Sequence, residues 1–280
     1  MRGLLSAVLL LFVTSAASAQ QRPLVTEDPE TIGAGRVLVE AGVDYARDVE
    51  YPASGLEGQL FRFPVLGFSF GISSIAGIQI DGGPYNRLSI SSRNDAAPLA
   101  SMVTATGDST HSVEDIVMAT KVRLVPEGVT RPAIGFRFAT RLPNASNESG
   151  IGLDTTDFLA TLLFGKTVRS IRVVGNGGLG ILGDPTRGDR QNDVLLYGVS
   201  LARAVTDSAE LVGEVVGRLD VRAGDPPPGT ESRSILQLGA RYTIGGWRGD
   251  ASVFFGLTPN SPAVGVGAGF TYVFNAFSVP

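Results

Sequence analysis

Twelve stretches of roughly ten to fourteen residues alternate apolar with small or polar side chains, and the connectors between them are by turns very short and long. A period of two sends successive side chains to opposite faces of a strand. Lipid demands an apolar exterior, a wet lumen accepts polar groups, and a sheet in hydrocarbon can leave no edge open. The rhythm therefore predicts an all-β chain: a transmembrane antiparallel up-and-down β-barrel of about 12 strands. The expected strands are 35–47, 58–72, 75–90, 112–124, 132–142, 155–167, 170–182, 193–204, 209–222, 233–244, 247–257 and 263–274.

The connectors carry the second signal. Ser73-Ser74, Pro126-Glu127-Gly128, Val168-Arg169, Thr206-Asp207 and Gly245-Gly246 read as tight turns, whereas 91–111, 143–154, 183–192 and the segment around 224–229 are longer. Membrane barrels sort their connectors this way, with short periplasmic turns and long external loops.

Parity assigns the faces. In the fifth strand Ile134, Phe136, Phe138 and Leu142 point to lipid while Gly135, Arg137, Ala139 and Arg141 point inward. The last strand repeats the pattern with Val264, Val266, Phe270, Tyr272 and Phe274 outward and Gly265, Gly267, Gly269 and Thr271 inward. The ninth sends Leu211, Val215, Leu219 and Val221 out, and the eighth is assigned Leu195, Tyr197 and Val199 outward. A two-residue turn at Gly245-Gly246 sets Arg241 opposite Asp250, a cross-strand ion pair. The apolar parity of the second strand changes around Pro64 and Gly67, which indicates a bulge. Trp247, Phe164, Tyr242, Tyr272 and Phe274, near strand ends, suit an interfacial girdle or, alternatively, ordinary core packing.

Arg2, the apolar run from Leu4 to Val13, and Ala17-Ser18-Ala19 match the three parts of a secretory signal, with cleavage expected after Ala19. Residues 1–19 are thus a signal peptide, 20–34 a periplasmic N-terminal segment, and 35–280 the barrel, placed in the outer membrane of a Gram-negative bacterium. Without Arg2 the chain carries 22 basic against 27 acidic residues, which argues against nucleic acid and a polybasic membrane anchor. Cysteine is absent, which excludes disulfides and a lipidated Cys.

Several motifs are better read as structural. Gly175-Asn176-Gly177-Gly178-Leu179-Gly180 has the dinucleotide spacing, but Gly183 and Pro185 stop the helix that such a site needs, and small inward residues leaving lumen space are the simpler reading. His111 is the only histidine and falls at the end of the longest loop, away from any serine on a strand, so no catalytic residue is assigned and an enzyme is not expected. One histidine without cysteine makes no transition-metal site, and Asp184, Asp189 and Asp193 lack a calcium-loop spacing. No metal and no cofactor are expected.

The functional candidates are the lumen-lining charges: Glu40, Asp44, Lys121, Arg123, Arg137, Arg141, Arg172, Asn176, Glu210, Glu214, Arg218, Arg241, Arg248 and Asp250, with Arg36, Gln79, Asp81, Asp115, Asp157 and Gln237 beside them. Their mixed signs fit either a network that holds the wall or the lining of a solute path. The segment Arg22–Thr31 is polar, holds two prolines and is not strand-like. It is expected either to plug the periplasmic end or to be a mobile tail.

Arg22-Pro23-Leu24-Val25-Thr26-Glu27-Asp28-Pro29 before the first strand, Gly239-Ala240-Arg241-Tyr242, and Phe255-Gly256-Leu257-Thr258-Pro259 resemble the outer-membrane "MetA-pathway of phenol degradation" transporter-like family. The resemblance implies a barrel that moves small, often hydrophobic or aromatic compounds. The chain departs from the usual aromatic barrel terminus by running past Phe274 and Phe277 to Pro280. The leading expectation is a passive channel for uptake or efflux of small solutes, with outer-membrane lipids and the barrel-assembly machinery as partners. Twelve strands lie between the eight that side chains can fill and the 16–18 of open porins, so the bore should be narrow. A structural or adhesive surface barrel and a barrel lipid hydrolase are the alternatives.

Overall fold

The computed structural model describes residues 22–278, so the signal expected over 1–19 lies outside the described residues. The chain forms twelve antiparallel staves: β1 (Arg36–Tyr51), β2 (Leu56–Gly71), β3 (Ala76–Gly82 and Asn86–Arg93), β4 (Ser109–Ser112 and Val117–Val125), β5 (Ala133–Arg141), β6 (Asp157–Val168), β7 (Ile171–Gly183), β8 (Gln191–Ala204), β9 (Ala209–Asp220), β10 (Arg233–Ile244), β11 (Trp247–Gly256) and β12 (Val264–Asn275). Each stave pairs with its neighbours in sequence, and β1 pairs with β12 from Arg36↔Asn275 to Arg47↔Val264. That last ladder closes the barrel and leaves no edge, as hydrocarbon requires.

The outer surface is apolar. Leu179, Leu195, Val199, Leu201, Leu211, Leu219, Leu238, Val266, Phe138, Phe158 and Phe270 are all exposed to the surroundings. Trp247, Tyr242, Phe164 and Phe274 are exposed too, and all lie toward the short-turn end of their strands. Trp247 stacks on Tyr272 with ring centroids 4.3 Å apart, and Tyr272 stacks on Phe274 at 5.6 Å, so part of a girdle on this rim is continuous.

β2, β3 and β4 are irregular at one level. The β1–β2 register slips between Gly42↔Val65 and Asp44↔Arg62, the bulge expected at Pro64. β3 and β4, expected as continuous strands, each break: β3 at 83–85 and β4 at 113–116. Pro84 supplies no N–H to the ladder, and single bonds from Phe63 N to Tyr85 O (3.0 Å) and from Glu114 N to Gly83 O (2.7 Å) carry the sheet across.

Three further expectations need correction. The connector after β4 is not the tight turn Pro126-Glu127-Gly128 but spans 126–132, with Gly128 N donating to Arg131 O (3.1 Å) inside it. The loop expected over 91–111 spans 94–108, so His111 sits on a strand rather than at a loop end; it faces outward opposite Arg87, its ring 5.9 Å from that of Tyr85. Gly175 and Gly177 do not leave lumen space, since they share the outward parity of Leu179, and a Cβ on either would meet nothing within 4 Å.

The long connectors gather opposite the short turns. There Ser54 Oγ donates to Gly150 O (2.5 Å), Thr104 N to Glu148 O (3.0 Å), and Leu99 N to Ala53 O (2.8 Å). These bonds satisfy loop backbone groups with one another and knit the rim.

Candidate functional site in the barrel lumen

The lumen is filled from the short-turn end by residues 22–34, which enter ahead of β1 and run up the inside of the barrel. A segment without secondary structure must find partners for its backbone groups, and the wall supplies them. Glu214 accepts from Val25 N and Thr26 N, both at 2.7 Å, and from Thr26 Oγ1 at 2.5 Å. Asn176 accepts from Glu27 N (2.7 Å) and donates to Glu27 O (2.8 Å), copying a strand pairing with a side chain. Gln237 donates to Pro23 O (2.7 Å) and Arg241 to Arg22 O (2.7 Å).

The acidic side chains of the segment each take wall cations. Glu27 lies 3.1 Å from Lys121 Nζ and 3.0 Å from Arg137 Nε, Asp28 receives Arg172 through two bonds of 2.8 Å, and Glu30 meets Arg123 at 2.5 Å. Lys121 also donates to Asp28 O at 3.0 Å. Burial pushes the Glu27 carboxyl up, but Lys121 and Arg137 outweigh it and hold the group below its ordinary value. Asp28 behaves likewise: burial raises it, and Arg172 more than compensates. At the tip, Arg22 lies 3.5 Å from Asp250 and 3.9 Å from Asp44, and its N–H donates to Glu40 at 3.2 Å. Glycine makes room for it, since a Cβ on Gly42 or Gly269 would fall within 2.6 Å of the guanidinium.

The remaining candidates lie on the same inner surface but mostly hold the wall itself. Glu40 accepts from Thr271 Oγ1 (3.1 Å), Asp44 pairs with Arg62 (2.7 Å), and Arg141 pairs with Asp157 and lies 3.8 Å from Asp115. Glu210 stands 3.8 Å from Arg241 and 3.9 Å from Arg248, whose Nε also donates to Thr243 Oγ1 (3.1 Å). The expected register of Arg241 against Asp250 is present. Arg218 holds the 221–232 connector by donating to Gly229 O (2.7 Å) and Glu231 O (2.9 Å).

Sequence reasoning missed Arg62, Glu114, Glu127 and Lys166. Arg62 bridges Asp44 and Glu114 (2.9 Å), but the bulge at Pro64 hides its parity. Glu127 reaches Arg172 (2.5 Å) and Lys166 (3.4 Å) from the connector that had read as a tight turn.

Between the tip of the segment and the loop rim lies a cavity of about 630 Å3. Arg22, Leu24, Val25 and Glu27 form its floor. Its wall has an ionic part, with Glu40, Asp81, Arg62 and Glu114, and an apolar part, with Val49, Leu60, Val65, Ile235 and Phe254. Among the described residues no group of three or more His, Cys, Asp or Glu side chains could hold a metal ion.

Comparison with known proteins gives the fold. No family model matches the chain, and no curated protein matches it. Among solved structures, the COG4313 outer membrane channel from Pseudomonas putida F1 aligns with TM-score 0.61 and 14% identity over 88% of this chain and 98% of that one. The translocator domain of the autotransporter NalP from Neisseria meningitidis aligns with TM-score 0.48 and 16% identity, over 86% and 89%. The Pseudomonas putida toluene transporter TodX aligns at 0.38 and 10%, over 89% and 92%.

Proposed function

We propose that this chain is an outer-membrane channel for passive movement of small solutes, with residues 22–34 narrowing the bore. The cavity above the segment carries the reading: it lies inside a closed barrel, its lining is partly ionic, and its floor is a short chain held by hydrogen bonds and ion pairs rather than by a covalent wall. A mixed lining of charges with Val65, Ile235 and Phe254 suits a small solute with an apolar or aromatic part. The shared fold of a protein described as an outer membrane channel supports this reading.

The test is electrical. Purified protein in planar bilayers should give small unitary currents, and deleting residues 20–33 should enlarge them. Silence from both proteins, together with no solute discrimination in liposome swelling, would remove the channel role. Unchanged conductance after the deletion would remove the narrowing role alone.

A further inference from the structure

On the outer face, β9, β10 and β11 enclose an apolar depression of about 430 Å3. Its base is made of small outward residues, Ala240, Gly249 and Ala251, and its sides are the exposed Leu211 and Tyr242. A Cβ on Gly249 would meet nothing within 4 Å, so the base is open to the exterior. The next outward pair toward the loops is the bulkier Leu238↔Val253, which bounds the depression on that side.

A cation lies on the row that crosses the depression. Register runs Arg203↔Leu211↔Ala240↔Ala251 across β8 to β11. Arg203 shares the outward parity of Val199 and Leu201 and is exposed, and its guanidinium has no hydrogen-bond or ion-pair partner among the described residues. Two strand spacings put its Cα ~10 Å from the base of the depression, about one arginine side chain and a glycerol backbone away. Strands in such barrels tilt by roughly 35–45°. Arg203, next to the β8–β9 turn, therefore sits nearer the short-turn interface than Ala240 and Ala251 do.

We propose that this depression seats one acyl chain of a phospholipid from the short-turn leaflet, with the lipid phosphate on Arg203. An unpaired guanidinium at the interface supplies the charge complement to a phosphate, and the oblique row gives the chain an apolar path leading inward from it. The proposal rests on the barrel being embedded in a bilayer and is independent of whether its lumen conducts.

Trp247 is the only tryptophan and stands beside Gly249 on the same face, held against Tyr272. Titrating dibrominated phosphatidylglycerol into the protein in detergent micelles should quench its fluorescence along a saturating curve. Arg203→Gln should weaken the apparent affinity about fivefold, the worth of one interfacial cation. Ala251→Leu, which fills the base, should remove the saturable phase, while Ala160→Leu on the far outer face of β6 should leave it unchanged. Native mass spectrometry should find one retained phospholipid in the wild type and none in Ala251→Leu. Saturation alike in every variant, or quenching that never saturates, would overturn the seat while leaving the embedded barrel intact. An absence of quenching in brominated vesicles would remove the embedded barrel as well.

Discussion

Arg172 and Asp28, 144 residues apart in sequence, are joined by two parallel hydrogen bonds of 2.8 Å, and the same guanidinium reaches Glu127 at 2.5 Å. One wall cation thus fastens the lumen segment on one side and the β4–β5 connector on the other. The planar fork of arginine allows this, since it presents several donors in fixed directions.

Replacing Arg172 with Gln should loosen the segment without opening the barrel. Losing a bidentate charged contact costs about 2–3 kcal/mol. Protease cleavage within residues 22–34 should become faster, and current noise in bilayers should rise, while heat-modifiable gel mobility stays as in the wild type.

The attachment should also fail in acid. Glu27 and Asp28 are both held below their ordinary values, so their contribution to docking is fully present above the normal carboxylate range. It declines as pH falls through their depressed values, because the undocked segment then binds more protons. Conductance measured on lowering the pH should show a step below about 4, where the segment releases. In protein lacking residues 20–33 the same scan should not show that step.

Charge in the cavity sets a preference among ions. Six carboxylates, those of Glu27, Glu40, Asp44, Asp81, Glu114 and Asp115, line it against the four guanidiniums of Arg22, Arg62, Arg137 and Arg233. Asp81 is the half-exposed member, its nearest cation 3.7 Å away on Arg137. In alkaline buffer, where the carboxyls are ionised, reversal potentials under a KCl gradient should favour potassium over chloride, and Asp81→Asn should reduce that preference. Equal permeabilities in the wild type would contradict the expectation.

Of two glycines on opposite faces, only the inward one should respond to the same substitution. A Cβ on Gly165 would lie 2.4 Å from Arg172 Nη2 and 2.9 Å from Pro29 Cγ, so Gly165→Val should displace the segment and raise conductance. Gly177 faces open exterior, so Gly177→Val should fold as the wild type and conduct unchanged, adding apolar surface where lipid receives it. Gel mobility and single-channel recording on both variants check the pair.

Some of this was legible one residue at a time. The alternation in β5, β9 and β12 marks which side chains meet lipid, because a strand offers only two faces. The glycine pair 245–246 fixes the Arg241↔Asp250 register because a two-residue turn leaves no freedom. Where local rules compete, reading failed: Pro84 ends a ladder that apolar residues on both sides suggest is continuous, and Pro126-Glu127-Gly128 looks like a turn whether or not the chain continues to Pro132 before pairing again.

The sequence alone determined a closed barrel and the faces of its strands, since a period of two and the exclusion of open edges from hydrocarbon are properties of neighbouring residues. Only the tertiary structure decided that residues 22–34 lie in the lumen and that Glu27, Asp28 and Glu30 choose Lys121, Arg137, Arg172 and Arg123 among the inward cations. These partners stand 93 to 144 residues away in sequence, so their meeting depends on the closure and shear of the whole barrel rather than on any local pattern.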